Sequence, residues 1–78
     1  MSKLTVVFSS VLGIEESSVI PALSPETTSS WDSLNAIILL TEIEKAFDLR
    51  FGFDEAMAIK NFGDALALIA SKGKDPYV

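Results

Sequence analysis

The sequence predicts an all-α fold: a small four-helix bundle with three main helices, a short third helix and a long loop between helices 1 and 2. Three observations carry this reading. Apolar residues recur at helical spacing in separate stretches, and no stretch alternates apolar and polar residues as a half-buried strand would. Of the 78 residues, 49% are apolar, enough to bury one core in one domain. Cysteine is absent, so that core must hold without a disulfide framework. We read residues 1–78 as a single domain, with 73–78 a flexible tail.

The first helix is marked by Leu4, Val7, Phe8, Val11 and Leu12, which fall at i, i+3, i+4, i+7 and i+8. Ser2 is placed to cap its start and Gly13 its end. From Ile14 to Ser30 no period is sustained, and Pro21, Pro25 and many serines and threonines intervene. This is a long loop for so small a domain, and loops of that length are usually functional or disordered. Val19, Ile20 and Leu23 are its expected apolar anchors, with a single helical turn near Glu15 to Val19. The second helix runs from about Ser33 to Phe47, with Ala36, Ile37, Leu40, Ile43 and Phe47 as its buried stripe. Asp48 to Gly52 breaks the pattern. A short helix over Asp54 to Ile59 follows, capped by Asp54. The last helix covers Phe62 to Lys72, capped by Asn61, with Asp64 in its first turn and Phe62, Ala65, Leu66 and Ile69 on its apolar face. Gly73 ends it. The first two helices are expected to be antiparallel neighbours.

Composition excludes several functions. Without histidine or cysteine there is no Ser-His-Asp triad, no thiolate metal site and no cysteine nucleophile. An enzyme is not expected, nor a metal site. The net charge is −5, from 11 acids against 6 bases, and no basic patch is visible, which argues against nucleic-acid binding. Apolar runs such as Ala36 to Leu40 are far too short for a membrane span, and no signal peptide is visible. These readings together describe a cytoplasmic, monomeric module with no membrane insertion.

The chemistry-bearing stretch is Trp31-Asp32-Ser33-Leu34. It puts a serine hydroxyl at the start of the second helix, where unpaired N–H groups and the positive dipole end favour a phosphate. Alone, Asp-Ser-Leu is a common capping tripeptide. In its context it resembles the acyl carrier protein family. There a long loop is followed by an aspartate, a modified serine and a leucine, and the next helix ends in acids and a Phe-Asp pair. The matching positions are Asp32, Ser33, Leu34, Glu42, Glu44, Phe47 and Asp48, and the likeness covers roughly residues 3 to 72. The resemblance implies that Ser33 carries a covalent 4′-phosphopantetheine arm derived from coenzyme A, installed by a phosphopantetheinyl transferase. The arm would hold acyl intermediates as thioesters and present them to acyl-loading and acyl-processing enzymes of fatty-acid, polyketide or specialised lipid pathways. Asp32 would then help the transferase bind, through magnesium, besides capping the helix. Leu34 either packs in the core or meets partner enzymes. Leu40, Ile43, Phe51 and Ile59 would bracket a shelter for an apolar cargo.

The predicted docking face departs from the family. Residues 35, 38, 42 and 45 share one side of the second helix by their spacing. This side is strongly acidic in familiar fatty-acid carriers. Here it reads Asn35, Ile38, Glu42 and Lys45, with Phe53 and Met57 on the short helix beyond. Ile38, Phe53 and Met57 are expected to form an apolar patch beside Ser33, suited to a dedicated enzyme and a less charge-driven interface. Two alternatives stand: an aminoacyl or peptidyl carrier, and an interaction module of carrier-like fold that is never modified.

Overall fold

The computed structural model describes residues 2–77 and contains four helices: α1 (Lys3–Leu12), α2 (Ser33–Phe47), α3 (Phe53–Met57) and α4 (Phe62–Ser71). Among the described residues there is no strand. The long loop between α1 and α2 is interrupted by a 3₁₀ turn, Glu16–Ser18, inside the stretch where one helical turn is predicted.

Each main helix starts on a polar cap of the predicted kind. Ser2 Oγ accepts from the Thr5 N–H at 3.2 Å, and Asn61 Oδ1 accepts from the Asp64 N–H at 2.7 Å. Such caps satisfy N–H groups that have no partner inside the helix. Gly13 ends α1 in the left-handed region at φ 65°, which turns the chain so that the Ile14 N–H reaches the Ser9 carbonyl at 3.1 Å. α1 buries Leu4, Phe8 and Leu12, one residue per turn. α1 and α2 are antiparallel neighbours: Lys3 Nζ, at the start of α1, donates to the Ala46 carbonyl near the end of α2 at 3.2 Å.

The centre of the core is aromatic. Phe8 is fully buried and meets Trp31 edge-on, with ring centres 5.3 Å apart and planes at 78°. Phe62 meets Phe8 in the same way at 4.9 Å and 85°. Edge-to-face pairs set positive ring edges against negative faces and contribute about 0.5–1.5 kcal/mol beyond the burial itself. This chain of three rings joins α1, the end of the loop and α4.

The α2 stripe differs from the predicted one. Leu39, Ile43 and Phe47 are buried at intervals of four, Leu40 and Ala36 are half-buried, and Ile37 is 63% exposed. A run of five apolar residues does not by itself show which of them faces inward. Counting back by fours from Phe47 and Ile43 selects Leu39.

The loop is tied down by its backbone as well as its side chains. Val19 and Leu23 are buried as expected, whereas Ile20 is exposed. Loop carbonyls accept from the first N–H groups of α4: Leu23 from Phe62 at 2.9 Å, and Pro21 from Gly63 at 3.0 Å. A side chain at position 63 would crowd this contact, since a Cβ there would lie 3.3 Å from the Pro21 carbonyl oxygen.

α3 starts and stops earlier than predicted, at Phe53 and Met57 instead of Asp54 and Ile59, and its N-cap is Gly52, not Asp54. The reason lies in Glu55, whose Oε1 reaches back to the Gly52 N–H at 2.9 Å and so fixes the first turn one residue sooner. Glycine has no side chain to return the bond, so only half of a capping box forms. None of the α3 residues is buried. Polar tethers hold the helix instead. Glu44 Oε2 accepts from the Phe51 N–H at 2.9 Å, and Lys72 Nζ lies 2.9 Å from Glu55 Oε2 and 5.7 Å from the Phe51 ring centre. α4 ends at Ser71 with Lys72 as its C-cap, one residue before the predicted end. Beyond Gly73, Pro76 is buried and Asp75 Oδ1 accepts from the Tyr77 N–H at 2.9 Å.

The hydrogen bond from the Gly52 N–H, and then the bond and charge of Lys72, hold the Glu55 carboxyl below its ordinary value of 4.5. A lowered carboxylate stabilises the fold above its unfolded value, and that contribution is lost as pH falls through the lowered one. Glu55→Gln is therefore expected to unfold at lower urea than the parent near neutrality, with the gap closing as pH drops below 4.5. A gap unchanged in acid would contradict the assignment.

Candidate functional site

Ser33 is the first residue of α2 and is exposed. The cap behind it belongs to Asp32, which is extended (φ −106°) and whose Oδ1 accepts from the Asn35 N–H at 2.9 Å. The Asp32 carbonyl then accepts from the Ala36 N–H at 2.8 Å. The helix start therefore does not need the Ser33 hydroxyl. The N–H groups of Ser33 and Leu34, at the positive end of the helix, are not claimed by this cap. An anionic group on Ser33 would sit against them.

Trp31 and Asn35 fix the approach to this turn. The Trp31 N–H donates to the Thr28 carbonyl at 3.0 Å, and the indole is buried on Phe8. Asn35 Nδ2 donates to the Ser30 carbonyl at 2.6 Å. Asn35 is thus half-buried and engaged in holding the loop end; of its predicted face-mates Ile38 and Lys45 are exposed and Glu42 is half-buried.

Ser33 borders a groove of about 350 Å³ whose other walls include Pro25, Trp31, Asp32, Ala56 and Met57. Behind it lies an apolar cavity of about 40 Å³, bounded on its far side by Phe8, Leu39, Leu40 and Ile43. Trp31, Ala36, Ala56 and Ile59 line both spaces and form the partition. Of the four residues expected to bracket a shelter, Leu40, Ile43 and Ile59 line the cavity. Phe51 instead packs against the core beneath Lys72.

The remaining predicted contact residues are spread along α2 and α3. Leu34 is 67% exposed, so it is not a core residue. Ile38 is 40% exposed. Glu42 and Lys45 pair at 3.4 Å, so the single acid predicted on this side is locally offset by its neighbour. Phe53 and Met57 are 78% and 63% exposed, and Met57 is the one that shares the groove with Ser33. Sequence reasoning missed Ile37, whose exposure puts it with Leu34, Ile38 and Thr41 at spacings of three and four on the outward side of α2. It also missed Pro25 and Ala56 as groove walls, which no sequence period marks.

No helix among the described residues is long and apolar enough to cross a membrane. No protein-family model matches the chain.

The cap predicts a graded response at position 32. Asp32→Ala is expected to lower stability by about 1 kcal/mol, and Asp32→Asn by much less, because an amide oxygen can still accept from the Asn35 N–H. Urea denaturation reads this directly; equal losses in both variants would show that charge, not capping, is the contribution.

Proposed function

We propose that this chain is a carrier protein in which Ser33 bears a 4′-phosphopantetheine arm. The observation that carries the reading is an exposed serine at the first position of a long helix, in a turn whose capping is done by its neighbour, beside a groove that shares a wall with an apolar cavity. The resemblance of Asp32-Ser33-Leu34 and the acids and Phe-Asp pair downstream to acyl carrier proteins supports it. When bound, the arm supplies a terminal thiol that holds an acyl group as a thioester.

The chain's own residues would bind, orient and present. Ser33 Oγ would form one P–O bond to the pantetheine-side phosphorus of coenzyme A. The pyrophosphate bond would break, adenosine 3′,5′-bisphosphate would leave, and the hydroxyl proton would pass to a base of the transferase. The chain has no histidine to take that proton. The resulting diester is stabilised by the N–H groups of Ser33 and Leu34. Asp32 beside it repels the diester, so its value lies in the cap and in contact with the transferase and its magnesium. The chain itself performs no reaction.

Docking in this reading uses the outward side of α2 and the exposed side of α3, with Leu34, Ile38, Phe53 and Met57 as apolar contacts and Asn35, Glu42 and Lys45 at their border. Paired Glu42 and Lys45 offer little net charge for steering. This fits acyl-loading and acyl-processing enzymes dedicated to this carrier better than general fatty-acid enzymes.

Two measurements test these statements. Incubation with coenzyme A and a broad-specificity phosphopantetheinyl transferase is expected to add one phosphopantetheine to the intact mass, and Ser33→Ala to abolish it. No adduct would favour the unmodified interaction module, and an adduct surviving Ser33→Ala would refute the site. Acyl transfer to enzymes encoded beside the gene is expected to change little as salt shortens the screening length from about 10 Å to 3 Å. Efficient, strongly salt-sensitive use by a general fatty-acid ketosynthase would overturn the apolar interface.

A further inference from the structure

Asn35 joins the two ends of the turn that carries Ser33. Its N–H donates to Asp32 Oδ1 at 2.9 Å, and its Nδ2 donates to the Ser30 carbonyl at 2.6 Å. Trp31, Asp32, Ser33 and Leu34 lie between Ser30 and Asn35 in the chain, so the second bond closes a ring around the serine without using its hydroxyl. That bond is half-buried, and breaking it leaves the Ser30 carbonyl partly desolvated with no donor. We propose that Asn35 is a positioning residue for the modification of Ser33: by holding the Ser30 carbonyl it keeps the turn in one shape while the transferase acts on the hydroxyl. This role rests on the carrier reading above.

Two simpler accounts of position 35 predict the opposite response to a carboxylate. As the third residue of α2 it lies at the positive end of the helix dipole, where a carboxylate is favourable. As a docking residue, a carboxylate would help a basic enzyme bind. The Ser30 bond reverses both signs. Aspartate has the size of asparagine but no N–H, so it would set oxygen against the Ser30 carbonyl oxygen and the ring would open. Alanine favours the helix yet also lacks the donor. The cost falls on the chemistry. Attack by Ser33 Oγ needs alignment with the pyrophosphate bond that breaks, and a misplacement of about 1 Å can slow such a step about 100-fold. The N–H groups of Ser33 and Leu34, which would meet the diester, lie in the same ring and shift with the hydroxyl.

Full-length parent, Asn35→Asp and Asn35→Ala are each modified with coenzyme A and a broad-specificity phosphopantetheinyl transferase, and kcat and KM for the carrier are measured. Both variants are expected to lower kcat about tenfold while KM stays within about twofold, the pattern of lost alignment with docking intact. Backbone exchange separates this from general destabilisation. The Ala36 amide, which donates to the Asp32 carbonyl, is expected to lose protection about tenfold in both variants, with the Ile43 and Phe47 amides unchanged. An unchanged kcat, an effect confined to KM, or faster modification of Asn35→Asp overturns the proposal. A loss in Asn35→Asp but not in Asn35→Ala also overturns it, because charge and not the missing donor is then responsible. Equal loss of protection at Ala36, Ile43 and Phe47 does the same, since Asn35 then serves the whole fold. A parent that gains no phosphopantetheine defeats the carrier reading and this proposal together, whereas a modified parent with indifferent variants defeats only this one.

Discussion

The contact between Phe8 and Trp31 sets where everything near the site can be. Trp31 is the last loop residue but one before α2, so burying its indole edge-on against a fully buried Phe8 fixes the position of the helix start. From that fixed start Asp32 caps the helix, and Ser33 follows it as the exposed first helical residue, its hydroxyl not needed for the cap. The same indole is a wall of both the groove and the cavity. Phe62 on the far side of Phe8 brings α4 into the same assembly, so the site is registered against three parts of the chain at once.

A loop as long as the one between α1 and α2 would ordinarily cost much conformational entropy to order. Here its polar backbone is matched to needs elsewhere. The first N–H groups of α4 lack partners within their own helix, and the carbonyls of Pro21 and Leu23 accept from two of them. Gly63 makes the approach close enough. Closer to the site, Asn35 reaches back to the Ser30 carbonyl, so the loop is fastened at its exit by the helix it introduces. One side chain predicted for docking is thereby occupied in building the turn.

Much of this was legible in the sequence because local rules decided it. Ser2, Asp32 and Asn61 are caps whose spacing to the next free N–H is fixed by helix geometry, and Gly13 is the residue best suited to the left-handed end of α1. The Ser33–Phe47 bounds follow from such signals. What could not be read depends on the third dimension. Ile37 and Leu39 sit in one unbroken apolar run, which by itself does not show which of them is buried. Ile20 looked like an anchor beside Val19, yet only Val19 turns inward. The start of α3 depends on a glutamate reaching back three residues to a glycine that carries no capping side chain to mark it, and on Lys72 just beyond α4, a contact that no short-range pattern encodes. At the site, the serine and its cap were legible. The groove and cavity were not, since Pro25, Trp31, Ala36 and Ala56 come from separate segments.

α3 differs in kind from the other helices. It has no buried residue, and its attachments run through Glu44, Glu55 and Lys72. Segments with few apolar anchors open locally at a free energy well below that of global unfolding. Apolar attachment strengthens and weakens with temperature, while ionic attachment answers to ions and protons. The wall of the cavity that could move is thus controlled by the solution around the protein more than by its heat content. Exchange of backbone amides in residues 53–57 would follow a clock set by electrolyte, separate from the one that governs the aromatic centre.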